Sequence, residues 1–152
     1  MRALVVTNMW PSAEDPALGR FVADQVTALC ALEEPDLEID VFSFPPGGYV
    51  RAARDLRARY RRTRFDVVHA HFGLTAWPAL AVPAGARALT LHGTDLRHPR
   101  SRLLTRAVLG RQDLVGVVSE DLANALPART RAGSRVEVLP CGVDTRRFRP
   151  LP

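Results

Sequence analysis

Short apolar runs alternate with segments of helical periodicity along most of this chain. Residues 2–7 form a compact apolar run of the strand type, and positions 21, 22, 25, 26 and 29 then recur with the spacing of one helical face. The pattern predicts a strand followed by a helix over residues 19–32. Glu33, Glu34 and Pro35 end that helix, because proline cannot continue it.

The same alternation continues to the end of the chain. Further strands are predicted over residues 37–44, 66–70, 87–91, 114–118 and 136–139. Tyr49, Ala53, Leu56 and Tyr60 give the apolar stripe of a second helix, and later helices are predicted over residues 74–82, 100–109 and 120–126. Strands separated by helices predict right-handed crossovers, so we expect a Rossmann-like, doubly wound parallel sheet in α/β/α layers over residues 1–140.

The composition is that of an ordinary globular protein. The 152 residues suit one domain, with 47% hydrophobic and 24% charged residues. No apolar run approaches the roughly 20 residues of a membrane-spanning helix, and the first run is too short for a signal peptide, so a cytoplasmic protein is expected. Cys30 and Cys141 lie far apart and predict neither a disulfide framework nor a metal site.

The basic charge raises the question of an anionic partner. The formal net charge is +5 and the pI is near 10.5, yet all 21 basic residues are arginine, which indicates coding bias and not a nucleic-acid partner. Arginine occupies one face of the second helix, at positions 51, 54, 57, 61 and 62, where Asp55 is the only acidic residue. This face is either solvated or in peripheral contact with an acidic membrane.

Polar and glycine residues follow nearly every predicted strand. In a parallel sheet, ligands bind beyond the carboxyl ends of the strands. The segments at that edge are residues 7–19, 71–73, 92–95, 119–120 and 141–144, and their histidine, glycine, serine and aspartate residues predict a functional cleft. The first segment has neither a Gly-x-Gly-x-x-Gly nor a Gly-Lys-Ser/Thr motif, which argues against dinucleotide and P-loop binding.

Two interpretations remain open for the histidines. His92 could contact a polar substrate or share a proton with it while Gly93 allows close approach, or the segment could be a turn capped by Asp95. His69 and His71 lie two residues apart on a strand and point to one side. Because this pair lacks a third ligand at metal spacing, we expect a buried, hydrogen-bonded His69, with His71 at the rim and no metal.

Two predicted helix N-termini at this edge allow similar alternatives. Ser119 followed by Glu120 is typical of an N-cap, and a ligand role is the alternative. Gly19 and Arg20 together offer an anion site made of helix amides and a guanidinium.

Taken in order, these segments resemble the N-terminal domain of the GT-B glycosyltransferases of family 4, the retaining group 1 enzymes. The resemblance is carried by Thr-Asn-x-Trp-Pro at residues 7–11, Gly-Arg-Phe-Val-x-x-Gln at 19–25, Asp-Val-Val-His-Ala-His at 66–71, Leu-Thr-Leu-His-Gly-Thr-Asp at 89–95, Val-Val-Ser-Glu at 117–120 and Val-Leu-Pro-Cys-Gly-Val-Asp at 138–144. With Phe148 and Pro150, the last segment is similar to the family's interdomain hinge. Residues 141–152 are therefore expected to begin a hinge, with the donor domain absent from this chain.

The resemblance implies transfer of a sugar from a nucleotide-sugar donor with retention of configuration and without a metal or other cofactor. This domain would bind the acceptor, which is a glycan, a lipid or a small molecule, and the second domain would bind most of the donor. The implied residues are His92 as the catalytic group, Gly19, Arg20 and Gly93 toward the donor, His71, Phe72, Thr94, Asp95, Ser119 and Glu120 toward the acceptor, and Gly142 and Asp144 in the hinge. Alone, the chain is expected to be inactive. The alternative is a non-catalytic Rossmann-like binding or interaction module that docks to a partner.

Overall fold

The computed structural model describes residues 1–32, 36–145 and 148–150. The strands are β1 Arg2–Thr7, β2 Glu38–Ser43, β3 Phe65–His71, β4 Ala84–Leu91, β5 Leu114–Val117 and β6 Arg135–Val138. The helices are α1 Arg20–Cys30, α2 Tyr49–Arg59, α3 Ala76–Ala79, α4 Thr94–Arg97, α5 Pro99–Leu109, α6 Glu120–Asn124 and α7 Ala128–Gly133. A 3-10 turn, Gly73–Thr75, precedes α3.

The strands form a six-stranded sheet in the order β2-β1-β3-β4-β5-β6, in which every neighbouring pair is parallel. This sheet with its flanking helices confirms the predicted Rossmann-like α/β fold. The chain moves from β1 to β2 on one side and then crosses to β3 on the other. The carboxyl ends of β1 and β3 therefore flank the topological switch point, where open α/β sheets bind ligands.

The main apolar core lies between one face of the sheet and the helices that follow β2. The strands contribute alternate residues such as Leu4, Val68 and Leu89, and α2 and α5 contribute residues such as Leu56 and Val108, all less than 3% exposed. The connection from β1 to β2 runs toward one edge of the sheet, whereas the later connections run toward the other edge. Because each crossover is right-handed, α1 lies on the opposite face of the sheet from the helices that follow β2. Strand residues that alternate with the core set project to that second face.

The second face of the sheet carries the polar residues of β3 and β4. His69 and His71 alternate with the core residues Val68 and Ala70, and Thr90 lies between core leucines. The described side chains on this face are therefore available to line a cleft next to α1.

The differences from the predicted elements concern short helices. The predicted helix over residues 74–82 is a 3-10 turn followed by the four residues of α3, while α4 and α7, of four and six residues, had no apolar stripe long enough to predict them. The predicted helix stop at residues 33–35 and positions 146, 147, 151 and 152 of the predicted hinge lie outside the described residues. No helix in the described part of the chain is long and apolar enough to cross a membrane.

Candidate functional site

The strand register brings the polar segments together at one edge of the sheet. Thr7 of β1 is opposite His71 of β3, and His71 is opposite Thr90 of β4. His92 follows β4 two residues after Thr90. Because all neighbouring strands are parallel, the loops that follow them emerge side by side at the switch point.

Three histidines form a row along this edge. The His69 and His71 ring centroids are 4.3 Å apart, and the His71 and His92 rings are nearly parallel at 5.5 Å. His71 Nδ1 lies 3.3 Å from His92 Nε2, and His69 Nε2 lies 2.8 Å from the Thr90 hydroxyl. His92 also contacts Phe21 of α1, and the two ring centroids are 4.7 Å apart. We call His69, His71 and His92 the histidine row.

Burial keeps the histidine row uncharged at neutral pH. Desolvation, with a smaller contribution from the charge of His92, lowers the pKa of His69 to about 4. Desolvation also lowers the pKa of His92 to about 4, and burial together with the two neighbouring rings holds the pKa of His71 well below 6.5. A neutral imidazole has one donor and one acceptor nitrogen, so His71 and His92 can share a hydrogen bond, and His69 can share one with Thr90.

His71 is less accessible than predicted. The prediction placed it at the rim, ready to contact an acceptor, but its side chain is 1% exposed. His69, predicted to be the buried member, is partly exposed and does make the expected hydrogen bond. His71 is buried because its strand lies between β1 and β4 and because its ring stacks on His92.

Asp95 joins the loops that follow β3 and β4. Its Oδ1 accepts a hydrogen bond from the Gly73 backbone N–H, and its Oδ2 accepts one from the His92 N–H at 2.6 Å. The side chain is 0% exposed. The acceptor-binding role that the resemblance implies for Asp95 stays a prediction. Desolvation raises its pKa, while these backbone N–H groups act in the opposite direction. Asp95 is a positioning residue that fixes the backbone at His92.

The loop after β3 has an unusual backbone. Phe72 has φ 82°, a positive value that is costly for a residue with a Cβ, and its N–H donates to the Thr90 carbonyl at 3.0 Å. Gly73 is required next to it, because an added Cβ would lie 2.1 Å from the Thr105 hydroxyl. Strain of this kind at a switch point is typical of binding sites.

The glycines of the site differ in their surroundings. Gly93 has φ 110°, and no heavy atom lies within 4 Å of the position a Cβ would take, so its open side permits close approach by a ligand. Gly19 has φ 62° as the N-cap of α1, and a Cβ there would lie 2.2 Å from the Met9 carbonyl oxygen. A structural requirement thus explains Gly19 without a ligand. Arg20 is exposed and its Nε donates to Asp24 at 2.9 Å.

A cleft of about 700 Å³ lies beside the histidine row. Thr90 and His92 line one side and α1 lines another through residues such as Phe21. The third side is the segment 139–145, which includes the predicted hinge residues Gly142 and Asp144. The volume is within the range of small-molecule sites. Polar side chains line the cleft from all three sides.

The remaining predicted acceptor residues lie at the same edge with different exposure. Thr94 and Glu120 are exposed. Ser119 Oγ accepts from the Leu122 N–H at 3.3 Å, which is the N-cap that the sequence pattern had offered as one of two interpretations. A cap does not occupy every lone pair, so Ser119 keeps capacity for a second partner.

The sequence reasoning did not predict the contact between Asn8 and Tyr49 near this edge of the sheet. Asn8, at the end of β1, is 6% exposed and donates from Nδ2 to the Tyr49 hydroxyl at 3.0 Å. Its Oδ1 is buried without a hydrogen-bond partner in the structure. An asparagine directly after the first strand of a doubly wound sheet was the available signal, whereas its partner 41 residues away was not predictable from spacing.

Among the described residues, no group of three or more His, Cys, Asp or Glu side chains has the arrangement to hold a metal ion. The rings of the histidine row contact one another, Thr90 and Phe21.

Comparisons with known proteins agree on the class of domain. Among solved structures, a sucrose-phosphate synthase from Thermosynechococcus elongatus matches with a TM-score of 0.73 and 12% identity, over 99% of this chain and 51% of that chain. This chain thus spans about half the length of that protein, and at this identity the likeness shows the fold alone. No curated protein sequence matches. The family model of Glycosyltransferase Family 4 matches residues 6–147, which confirms the resemblance found in the motifs, and the chain therefore belongs to Glycosyltransferase Family 4.

Proposed function

We propose that this chain is the acceptor-side domain of a retaining glycosyltransferase, and that sugar is transferred from a nucleotide-sugar in the cleft beside His92. The observation that carries the proposal is the placement of His92, which lies on the wall of a cleft of about 700 Å³ at the switch point of the sheet. Family membership supports glycosyl transfer in general.

In this proposal His92 contacts the donor sugar or stabilises the reacting centre. Its pKa of about 4 leaves the ring neutral at pH 7, so it offers hydrogen bonds without a competing charge. Nε2 faces His71, which leaves Nδ1 as the ring nitrogen for a sugar hydroxyl. The backbone N–H bonded to Asp95 fixes the start of this loop, and a fixed loop orients the ring before substrate arrives.

The donor diphosphate would lie between α1 and the loop after β4. The helix α1 has 11 residues and begins at Arg20, so the positive end of the helix dipole and a guanidinium meet at its N-terminus. Gly93, on the opposite loop, leaves open space on the side where other residues carry a Cβ. These features support the expected donor roles of Arg20 and Gly93, with Gly19 setting the geometry of the turn.

The acceptor would contact the exposed residues around the cleft. Phe72, Thr94 and Glu120 have accessible surface, and Ser119 keeps hydrogen-bonding capacity. In this proposal His71 and Asp95 do not contact the acceptor. They hold His92 and Gly73 in position. The acceptor is a glycan, a lipid or a small molecule.

The test is kinetic and uses the product of the gene's complete reading frame. With a panel of nucleotide-sugars, His92→Ala should lower kcat by about 100-fold or more with a smaller change in KM, because the contact is made to the reacting sugar. His98→Ala, which removes an exposed histidine elsewhere, is the matched control and should retain wild-type rates. Unchanged kcat in His92→Ala would remove His92 from the mechanism. Sugar transfer by the 152-residue chain alone would refute the proposal that this chain is only the acceptor-side domain of the enzyme.

A non-catalytic module that docks to a partner is the second candidate. The observation that favours it is the exposed apolar surface beside the cleft, where Leu139, Val143 and Phe148 are 44%, 62% and 67% exposed. A complete reading frame with no nucleotide-sugar turnover or binding would support this candidate over the enzyme.

A further inference from the structure

The contact between His71 and His92 joins a buried ring to a ring on the wall of the cleft. His71 lies on β3 between β1 and β4, and its side chain is 1% exposed. His92 lines the cleft, with its backbone N–H bonded to Asp95 and its ring packed on Phe21. The two imidazole planes differ by 17°, and His71 Nδ1 is 3.3 Å from His92 Nε2. Both rings are therefore fixed by their neighbours, with one nitrogen of each facing the other.

A hydrogen bond between two neutral imidazoles fixes the tautomer of both rings. One of the facing nitrogens must carry the proton and the other must carry the lone pair. If His92 Nε2–H donates, His71 Nδ1 accepts, and both rings are in the Nε2–H form. If His71 Nδ1–H donates, both rings are in the Nδ1–H form. The tautomer of His92 thus depends on His71, and it decides whether Nδ1 of His92 is an acceptor or a donor.

The arrangement in which His92 donates is the more stable one. The Nε2–H tautomer is the intrinsically preferred form of a neutral histidine side chain, and this arrangement gives that form to both rings at once. Burial disfavours the charged alternative, because desolvation lowers the pKa of His92 to about 4 and that of His71 well below 6.5. His69 packs on the His71 ring at 4.3 Å between centroids, while its Nε2 bonds with the Thr90 hydroxyl. It therefore supports the ring of His71 from the side away from His92.

We propose that His71 is a positioning residue that accepts a hydrogen bond from His92 Nε2–H and thereby keeps Nδ1 of His92 as a hydrogen-bond acceptor toward the cleft. An acceptor at this point binds a hydroxyl group and disfavours the oxygens of a phosphate, which are themselves acceptors. This role rests on the proposed function, since it prepares His92 to contact a hydroxyl of the sugar. A ring with a fixed tautomer needs no rearrangement of its proton when the substrate arrives.

Nitrogen-15 NMR of the 152-residue chain reads the tautomer without any substrate. A ring nitrogen that carries a proton and one that carries a lone pair have widely separated shifts, so the spectrum shows which nitrogen of His92 is protonated. At pH 7, His92 should be a single Nε2–H tautomer. A single Nδ1–H tautomer, or the mixture of a histidine free in water, would overturn the proposal.

Two variants of similar shape separate the hydrogen bond from the packing. In His71→Asn, the amide oxygen can replace His71 Nδ1 as the acceptor, whereas His71→Leu fills similar space without one. His71→Asn should keep the Nε2–H form of His92, and His71→Leu should convert it to a mixture. His69→Gln, which can keep the bond to Thr90, is the control and should leave the tautomer of His92 unchanged. Circular dichroism checks folding. Equal tautomer ratios in the asparagine and leucine variants would show that the hydrogen bond is not responsible, and if the leucine variant does not fold, the wild-type spectrum still decides.

Kinetics of the complete protein distinguish this proposal from the proposed function. With a nucleotide-sugar that the complete protein uses, His71→Leu should lower kcat about tenfold, since one neutral hydrogen bond is worth about that factor, and His71→Asn should recover most of the loss. His98→Gln, at an exposed position elsewhere, should keep the wild-type rate. If His92→Ala leaves kcat unchanged, the proposed function fails, while the tautomer stands or falls with the NMR result. A wild-type kcat in His71→Leu together with a large loss in His92→Ala would refute the role of His71 alone.

Discussion

Acidification should destabilise this domain through the histidine row. The pKa values of His69 and His92 in the folded protein are about 4, and that of His71 lies well below 6.5. The unfolded chain binds protons at these rings near pH 6.5, whereas the folded chain does not bind them until about pH 4. The contribution to stability is therefore full above pH 6.5 and is lost as the pH falls through this window.

The magnitude follows from the size of the shift. A histidine whose pKa falls from 6.5 to about 4 on folding loses about 2 kcal/mol of unfolding free energy between pH 7 and pH 5. His69 and His92, acting independently, would together lose about 4 kcal/mol, a large share of the roughly 5–15 kcal/mol that stabilises a typical protein. Burial of His71 lowers its pKa and acts in the same direction. The comparison stops at pH 5 because most carboxylates titrate below that pH.

His69→Gln isolates one member of the row. Glutamine places an amide group near the position of His69 Nε2 and can keep the hydrogen bond to Thr90, but it does not titrate. Urea unfolding at pH 7, 6 and 5 should show a loss of stability about 2 kcal/mol smaller in the variant than in the wild type. His98→Gln, at an exposed position outside the row, should keep the wild-type pH dependence. The same pH dependence in all three proteins would refute the reasoning.

Two further predictions concern positions that hold the loops in place. Asp95→Ala should lower the unfolding free energy by about 3 kcal/mol, because two buried backbone N–H groups lose a charged acceptor; a urea midpoint equal to that of the wild type would contradict this. Gly19→Ala should cost at least about 2 kcal/mol, because its φ is 62° and the new Cβ would lie 2.2 Å from the Met9 carbonyl oxygen. Thermal melting measures the loss, and Gly133→Ala, where the Cβ meets nothing within 4 Å, should melt no earlier than the wild type.

The sequence pattern predicted the sheet well because strand signals in this chain are local. The run over residues 2–7 is β1 with the same bounds, and each other predicted strand overlaps an observed one. The strands β1, β3, β4 and β5 contain buried residues, and the edge strands β2 and β6 contain partly buried ones. Their apolar residues therefore form short runs between turn residues. Helices α4 and α7 were missed because a helix of one turn has no periodicity to detect.

The site was less predictable because its contacts are not local. Position at the carboxyl ends of strands was enough to single out His92 and Asp95. It could not show that Asp95 bonds to Gly73, 22 residues away, and is thereby withdrawn from the surface. Nor could it show that His71 lies beneath His92. Sequence order identifies which loops meet, whereas the packing of the loops decides which side chains remain accessible.

Three contacts determine the position of His92. The backbone N–H is held by Asp95, the ring nitrogen Nε2 faces His71, and the ring face packs on Phe21. These partners come from α4, from β3 and from α1. A group held from three elements has little freedom to adapt to different acceptors. We therefore expect acceptor preference to depend on the exposed residues around the cleft, such as Thr94 and Glu120, whose substitution changes contacts without moving His92.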